Sequence, residues 1–240
     1  MNEEMDKMNV YSPTPAFVES QDTGEFIKIL ADTFIIKGAK NDRGFDQGYA
    51  IRHLNRKDYI LIDVVEEASK EAVERLVKSG YNIRAILITG ESVLKDAYAD
   101  LETISKDAGG ADIYAHRRIT EDVDFDVKSI TSKDPLMKSF DLDVQELTGD
   151  KSGGVLIYSD LNDGMLFTGD HALGSAYNSD SFTFTREKLE NDSDEFALAE
   201  NWSAYNKEFK YLFPRKGKPA FEVDGGGRTD ILNRLSRGAS

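Results

Sequence analysis

Apolar side chains recur with two different periods along the chain, and the change of period marks the predicted elements. In residues 66–79 they fall three and four positions apart, which predicts an amphipathic helix. The same spacing returns in residues 93–104. Between these helices, residues 83–89 (IRAILIT) form a short, nearly continuous apolar run. Such a run indicates a strand buried on both faces, as in a sheet covered by helices.

Shorter apolar runs interrupted by turn residues predict further strands. Residues 26–37 favour a strand or hairpin, and the glycine-rich residues 38–48 are expected to form a loop. Residues 49–65 alternate, turn at Asn55–Asp58 and continue as an apolar strand, which is typical of a β-hairpin. A short strand follows at residues 112–115, and residues 154–168 form a second hairpin. Strands alternating with helices imply a layered α/β fold.

Three segments are assigned from composition. The aromatic residues in 196–213 lie at helical spacing, so we expect the buried face of a helix. The glycine-rich residues 224–230 are expected to be a flexible connection before a last short helix. The acidic residues 120–127 alternate with apolar ones and favour a solvated edge strand over a calcium loop.

The domain organisation follows from the same pattern. Residues 1–20 are polar and contain Pro13 and Pro15, which disfavour a helix, so they predict a flexible, extended N-terminal arm. Residues 21–240 are expected to form a single domain.

Composition excludes several classes of function. The 44 acidic and 30 basic residues give a net charge of −14, which repels nucleic-acid backbones and anionic membrane surfaces. The absence of cysteine excludes thiolate nucleophiles and cysteine-based metal sites. With no signal-like or membrane-length apolar segment, we expect a soluble, cytoplasmic protein. The three histidines, His53, His116 and His171, limit any imidazole-based site.

Two stretches resemble the framework of the metallo-β-lactamase superfamily. They are residues 60–90 (ILIDVVEEASKEAVERLVKSGYNIRAILITG) and residues 153–173 (GGVLIYSDLNDGMLFTGDHAL). In that family a strand ending in aspartate leads through a helix into a buried strand that carries the metal motif, and a later hairpin ends in Gly-Asp. The resemblance extends in order and spacing over roughly residues 30–220. It implies a four-layer αββα sandwich, with the site at the strand ends between the two sheets.

The metal motifs of that family are absent here. Its Thr-His-x-His-x-Asp-His motif corresponds to residues 89–95, Thr-Gly-Glu-Ser-Val-Leu-Lys, in which only the threonine is kept. Asp150 stands at the position of a later ligand histidine, and Lys216 at the position of the last one. Asp170 matches the metal-bridging aspartate. Zinc requires imidazoles or anionic oxygens, so lysine, serine and glycine at these positions oppose metal binding.

The resemblance places a ligand pocket at this end of the sandwich, without metal or cofactor. We expect it to be lined by Glu91, Ser92, Lys95, Asp150, Asp170, His171 and Lys216. One hypothesis is that Lys95 or Lys216 pairs with Asp170 and replaces the metal charge. The alternative is a shifted, single-metal site made by Asp150, Asp170, His171 and His116.

Two functions remain open from the sequence. The first is a non-catalytic binding or scaffold module, whose partner is an unidentified small molecule or protein. The alternative is a hydrolase of an ester, thioester or lactone, with a remodelled site around Asp170 and His171. A serine nucleophile at Ser92 has no G-x-S-x-G surroundings to support it.

Overall fold

The computed structural model of the chain describes residues 14–42, 44–120, 123–175, 184–186 and 194–237. They form two β-sheets with helices packed on the outer faces. No helix in these ranges is both long and apolar enough to cross a membrane.

The first sheet has seven strands arranged in chain order. They are β1 (Phe26–Leu30), β2 (Thr33–Asn41), β3 (Gly44–Arg52), β4 (Asp58–Ile62), β5 (Asn82–Leu87), β6 (Asp112–Ala115) and β7 (Lys128–Ser129). Strands β1 to β4 are antiparallel neighbours, and β4 to β7 run parallel. The predicted hairpin at residues 49–65 and the buried strand at residues 83–89 are confirmed.

The second sheet has four strands in the order β11-β10-β9-β8. They are β8 (Leu142–Glu146), β9 (Val155–Ser159), β10 (Met165–Gly169) and β11 (Tyr211–Pro214). The helices are α1 (Pro15–Ser20), α2 (Glu66–Lys78), α3 (Glu91–Asp107), α4 (Pro135–Ser139), α5 (Glu195–Ser203) and α6 (Gly225–Arg237).

Three apolar cores hold the layers together. Between the sheets, the rings of Tyr49, Phe167 and Phe213 lie with their centroids 5.1–5.4 Å apart. A second core joins α2 and α3 to the outer face of the first sheet. A third joins α5 and α6 to the outer face of the second sheet through residues such as Trp202 and Ile231. The predicted four-layer αββα sandwich is therefore confirmed.

The N-terminal segment differs from the expectation. Residues Pro15–Ser20 form a helix rather than an extended chain, because Thr14 accepts a hydrogen bond from the backbone N–H of Phe17 and proline is favoured in a first helical turn. Val18 is buried in the core between the sheets. Residues 1–13 lie outside the described part, and the division at residue 20 stays a prediction.

The loop expected at residues 38–48 is largely strand, since β2 and β3 continue through it. Glycine is used there for close packing. A Cβ at Gly48 would lie 2.8 Å from the carbonyl oxygen of Asp63, and one at Gly38 would lie 2.3 Å from the side chain of Val65. Gly38 and Gly48 therefore mark close approaches of the backbone to its neighbours rather than a flexible turn.

Three C-terminal and acidic segments also correct the sequence interpretation. Helix α5 ends at Ser203, so Tyr205 and Phe209 are buried in non-helical chain. The glycine run at residues 225–227 begins α6, where Asp224 accepts a hydrogen bond from the Gly227 N–H at 2.7 Å. Residues 123–127 are not a strand, and the edge strand is β7 instead. Residues 121 and 122 lie outside the described part.

Candidate active site at the strand ends

The carboxyl ends of strands from both sheets meet at one end of the sandwich. Asp63 follows β4, Thr89 follows β5, Asp170 follows β10 and Arg215 follows β11. Gly169 is in contact with Thr89 across the sheets, because a Cβ on Gly169 would lie 1.9 Å from the Thr89 hydroxyl. Chain reversals after buried strands therefore bring polar side chains together here.

Asp170 is the centre of a buried charge cluster. Its Oδ2 atom accepts hydrogen bonds from Ser92 Oγ at 2.5 Å and Arg215 Nη1 at 3.0 Å, and lies 3.5 Å from Lys216 Nζ. Burial raises the pKa of this carboxyl, but the two cations and the serine more than offset the burial, so its pKa is lowered. Asp170 is therefore held as the carboxylate anion.

Arg215 supplies most of the counter-charge. It is only 2% exposed, and its Nη2 donates to Asp96 Oδ2 at 2.8 Å. Burial lowers the pKa of Arg215, but the negative charges of Asp170, Asp63 and Asp96 raise it by a larger amount. The guanidinium therefore stays charged. Its backbone is fixed as well, since Gln47 N donates to its carbonyl at 2.8 Å and its own N–H donates to Gly169 O at 2.9 Å. We call Ser92, Asp96, Asp170, Arg215 and Lys216 the Asp170 cluster.

Asp63 lies beneath this cluster and is fully enclosed. Thr89 donates to it through its backbone N–H at 2.9 Å and through its hydroxyl at 2.8 and 2.9 Å. Burial raises the pKa of Asp63 to about 6, although the hydrogen bonds from Thr89 and the charge of Arg215 act in the opposite direction. Asp63 therefore keeps its proton to a higher pH than a solvent-exposed aspartate does.

His171 is packed between two glycines and is 7% exposed. A Cβ at Gly90 would lie 3.1 Å from its Nε2, and a Cβ at Gly154 would lie 2.3 Å from its ring. Nε2 lies 3.4 Å from the carbonyl oxygen of Thr89, and Nδ1 lies 3.7 Å from Asp150 Oδ2. The imidazole thus faces the backbone carbonyl rather than Ser92, so the two do not form a nucleophile–base pair.

The carboxylate of Asp150 takes its hydrogen bonds from residues of its own loop. Its carboxylate accepts hydrogen bonds from the Ser152 N–H at 2.8 Å, from the Ser152 hydroxyl at 2.5 Å and from the Gly154 N–H at 2.7 Å. This is the arrangement of a turn-stabilising aspartate. The glycine at position 154 is required because a Cβ there would lie 2.2 Å from the Asp150 carboxylate.

The structure brings together most, though not all, of the residues that the sequence assigned to this pocket. Ser92, Asp170 and Lys216 are in contact, and His171 and Asp150 lie beside them. Glu91 and Lys95 are the exceptions, because they pair with each other at 2.9 Å along α3, with the Lys95 side chain 59% exposed. The ion pair that we expected for Asp170 is therefore made by Lys216 and not by Lys95.

Sequence reasoning missed Arg215 and Asp96. A signal for Arg215 was present, because it directly follows a buried strand, as Asp170 does. Asp96 gives no such signal, since it is one of several acids on the surface of α3 and becomes relevant only when Arg215 reaches it.

The residues at this end do not fit the zinc pair that the family resemblance implies. Within the described ranges, no group of three or more histidine, aspartate or glutamate side chains could hold a metal ion. The Asp170 carboxylate is bound by two cations, and the donor set lacks converging imidazoles. The alternative set with His116 is not assembled either. His116 accepts from Arg118 N at 3.2 Å on Nδ1, and its Nε2 lies 3.3 Å from Glu146.

Comparisons with known proteins find the fold but no related sequence. No family model matches the chain, and no curated protein matches it. The crystal structure of the DIM-1 metallo-β-lactamase superposes with a TM-score of 0.65 at 13% identity, covering 90% of this chain and 99% of that one. A metallo-β-lactamase from Hirschia baltica superposes with a TM-score of 0.60 at 16% identity, covering 89% of this chain and 96% of that one.

Proteins with other descriptions share the architecture too. The structure described as diflavin flavoprotein A 5 from Nostoc sp. PCC 7120 has a TM-score of 0.64 at 10% identity, covering 89% of this chain and 96% of that one. At such low identities the likeness concerns the fold, and the activity has to be argued from the site itself. The chain therefore has the metallo-β-lactamase fold, built around an Asp170 cluster that carries arginine and lysine.

Proposed function

We propose that this chain is a metal-independent, non-catalytic module of the metallo-β-lactamase fold that binds a small molecule or a protein. The observation that carries the proposal is the Asp170–Arg215 pair at 3.0 Å, in which both side chains are buried. A guanidinium placed against the one carboxylate that matches a family ligand repels a dication. Without a metal, the water activation on which that family's hydrolysis rests has no source.

The state of the other polar groups supports the absence of catalysis. Ser92 donates its hydrogen bond to Asp170, which is held ionised by cations and is therefore a weak base. His171 is directed at a backbone carbonyl. An activated serine needs an effective base in contact with its hydroxyl. The group in contact with Ser92 is Asp170, whose lowered pKa makes it a poor proton acceptor.

The partner and the compartment belong to the same proposal. A net charge of −14 disfavours nucleic acid and anionic membranes, so we propose a small molecule or another protein as the partner. We propose a cytoplasmic location because the chain has no cysteine, whereas exported proteins often contain disulfides.

Metal binding provides the first test. We expect the purified chain, dialysed against zinc and then against buffer, to carry far less than one zinc ion per molecule by elemental analysis. Its melting temperature should be the same with zinc and with EDTA, whereas a ligand at one hundred times its Kd adds about 2.7 kcal/mol of stability. Stoichiometric zinc, or a melting temperature that EDTA lowers, would contradict the proposal.

Catalysis provides the second test. The wild type and an Asp170→Ala, His171→Ala double variant are compared on ester, thioester and lactone substrates. Equal, background rates are expected for both proteins. Turnover by the wild type that disappears in the folded double variant would establish the alternative, a hydrolase with a remodelled site.

A further inference from the structure

A small, open cavity lies between the two sheets, apart from the Asp170 cluster. Its volume is about 80 Å³. The first sheet contributes the turn after β1 and the end of β3, and the second sheet contributes the residues before β8 and the turn after β9. Strand β3 ends at this cavity, and its antiparallel neighbour β4 leads away from it to Asp63. We call it the Asp141 cavity, because the exposed Asp141 lines it.

Side-chain oxygens dominate the polar lining of the Asp141 cavity. They belong to Asp32, Asp141 and Asn162. Both nitrogens of Arg52 that contact Asp32 bind its Oδ1 atom, at 2.6 and 2.7 Å, which leaves Oδ2 for a ligand. The Asn162 amide nitrogen donates to the carbonyl oxygen of Ala31 at 3.1 Å, so its amide oxygen is the remaining acceptor. Among the described residues, none pairs with the Asp141 carboxylate.

The charges of the lining do not cancel. Arg52 is buried and is neutralised by Asp32. His53 Nδ1 accepts a hydrogen bond from the Asn55 N–H at 3.1 Å, so this nitrogen carries no proton and the imidazole adds no positive charge. The negative charge of Asp141 is therefore left over. A ligand that complements this lining is a cation with several N–H donors.

The rest of the lining is apolar and aromatic. Ile51 and Phe140 are buried, and Leu161 is half-buried beside them. The rings of His53 and Phe140 pack together with their centroids 5.0 Å apart. Such a surface suits an alkyl chain, and aromatic faces also attract cations.

The volume of the Asp141 cavity limits the size of the group that enters. Pockets for whole metabolites are usually about 300–1,000 Å³, which is several times larger. An apolar cavity of about 150 Å³ holds the six carbons of benzene, so one of about half that volume holds about four heavy atoms. An ammonium group with a three-carbon chain has this size.

The backbone at the three oxygen-bearing positions is unusual. Asp32, Asp141 and Asn162 have φ values of 56°, 53° and 55°, and each lies in a different turn. Glycine adopts this left-handed conformation without strain, whereas other residues do so at a cost. The three turns therefore keep a side-chain oxygen where glycine would be easier, and all three side chains line the same cavity. Unfavourable backbone conformations of this kind often occur at ligand-binding positions.

We propose that the Asp141 cavity binds a small aliphatic amine. The primary ammonium has three N–H donors and no acceptor, which matches the side-chain oxygens of Asp32, Asp141 and Asn162. The alkyl chain lies on the apolar part of the lining. This inference does not rest on the proposed function, because the Asp141 cavity shares no residue with the Asp170 cluster.

An NMR titration of the isotope-labelled full chain at low salt tests the proposal. The probes are n-propylammonium, 1-propanol and propionate, which keep the short chain and change the charge. The amide signals of residues 52–54 and 139–141 should shift and saturate with n-propylammonium, with a Kd at least about tenfold lower than for 1-propanol. Propionate should bind more weakly still. Equal affinities for the amine and the alcohol overturn the proposal, and so do shifts confined to residues of the Asp170 cluster.

A matched pair of variants separates the site from the general attraction of an acidic protein for cations. Asp141→Asn should weaken n-propylammonium binding about tenfold, since it removes the unpaired charge. Asparagine tolerates the φ of 53° at this position. The control Asp163→Asn removes the same charge at a φ of 64°, from an exposed side chain that pairs with Lys210 and does not line the cavity. It should leave the Kd unchanged.

Two results with these proteins contradict the proposal. Equal weakening by Asp141→Asn and Asp163→Asn would show that the amine responds only to the net charge of −14. Both positions are exposed, so both variants should fold, which circular dichroism checks. Nα-acetyl-lysine methylamide presents the same ammonium on a peptide backbone. Tighter binding of this compound than of n-propylammonium would assign the cavity to a lysine side chain of a protein and overturn its assignment to a free amine.

Discussion

At the scale of single residues, the charge of Asp170 depends on Arg215. Both side chains are nearly inaccessible to water, at 4% and 2% exposure, so neither can be solvated if its partner is removed. A buried ion pair adds little net stability by itself, but removing one member leaves an uncompensated charge. The pair therefore acts as a unit.

Arg215→Met should destabilise the fold by about 3–5 kcal/mol, because it leaves Asp170 without its closest cation. Urea unfolding measures this loss. In the Asp170→Asn, Arg215→Met double variant, the loss should be smaller than the sum of the two single losses. The matched control is Arg234→Met, which removes an exposed ion pair with Asp230 on α6 and should cost less than about 1 kcal/mol. Equal losses for Arg215 and Arg234 would contradict this account.

Asp63 should make stability depend on pH in the opposite sense to most carboxyls. Its pKa rises from 3.8 to about 6 on folding, so the folded state keeps a proton that the unfolded state releases. Relative to Asp63→Asn, the wild type should lose stability as pH rises from about 4 to about 6, and the difference should then stay constant. The loss is about 3 kcal/mol, since one pKa unit corresponds to about 1.4 kcal/mol.

Denaturation of both proteins at a series of pH values measures this difference in stability, and a difference that does not change between pH 4 and 7 would contradict it.

The contribution of Asp170 to the pH dependence of stability has the reverse sign. Because its pKa is lowered on folding, its contribution to stability is present above its unfolded pKa and is lost as the pH falls below that value.

At the scale of elements, α1 is held by Lys37 of β2. The Lys37 ammonium is buried and donates to the carbonyl oxygens of Glu19 at 2.9 Å and of Gln21, at the carboxyl end of the helix. A cation at this end also interacts favourably with the helix dipole. Burial lowers the pKa of Lys37, although Asp22 and Glu19 oppose the shift.

Lys37→Met should release α1 without unfolding the sheets, because the two carbonyls lose their donor while the strands keep their pairing. Hydrogen exchange read by mass spectrometry should become faster in residues 15–21 and stay unchanged in β3 and β4. Lys40→Met is the matched control, since Lys40 is on the same strand and exposed. Equal exchange in α1 for both variants would show that Lys37 does not hold the helix.

The elements also show what sequence patterns can and cannot predict. Helices α2 and α3 and the two hairpins were predictable because each buries one face with a regular period. Helix α1 was not, because six residues make fewer than two turns, too few to repeat an apolar face, and the helix is held by Thr14 and Lys37. Lys95 was misplaced for a related reason. Its spacing of four from Glu91 already favours a pair along the helix, which competes with any contact across the site.

At the scale of the whole molecule, the two sheets share one aromatic core. Phe167 of β10 touches both Tyr49 of β3 and Phe213 of β11, with ring centroids 5.4 and 5.2 Å away. The Tyr49 hydroxyl donates to the carbonyl oxygen of Pro214 at 2.7 Å, which is a further bond between the sheets. The strand ends that carry Asp63 and Asp170 are therefore positioned by these ring contacts and this hydrogen bond in the core between the sheets.

Phe167→Ala should cost about 3–5 kcal/mol, because it removes a completely buried ring at the junction of the sheets. Tyr49→Phe should cost only about 1 kcal/mol, because it removes the hydroxyl and keeps the ring. Chemical denaturation followed by fluorescence and by circular dichroism measures both. The two probes should give one common transition for each variant, and separate transitions would show that the sheets do not unfold together.

The layer order of the molecule was predictable from the sequence, but the balance of charges at the strand ends was not. Strand and helix periods report burial, which fixes the layers. The partner of Asp170 depends on how the end of β11 meets the end of β10, and residues 170 and 215 are far apart along the chain. A resemblance based on ligand positions therefore indicates which metal ligands are missing. The arginine whose charge balances Asp170 is visible only in the three-dimensional structure.

The Arg215–Asp170 pair also means that Asp170 receives its counter-charge from the chain itself. An ion has to be taken up from the surroundings, in competition with every other protein that requires it, whereas a guanidinium is delivered by the ribosome in a fixed ratio of one per chain. The positive charge that Asp170 needs is therefore present as soon as β11 docks beside β10, whatever the supply of trace elements during growth.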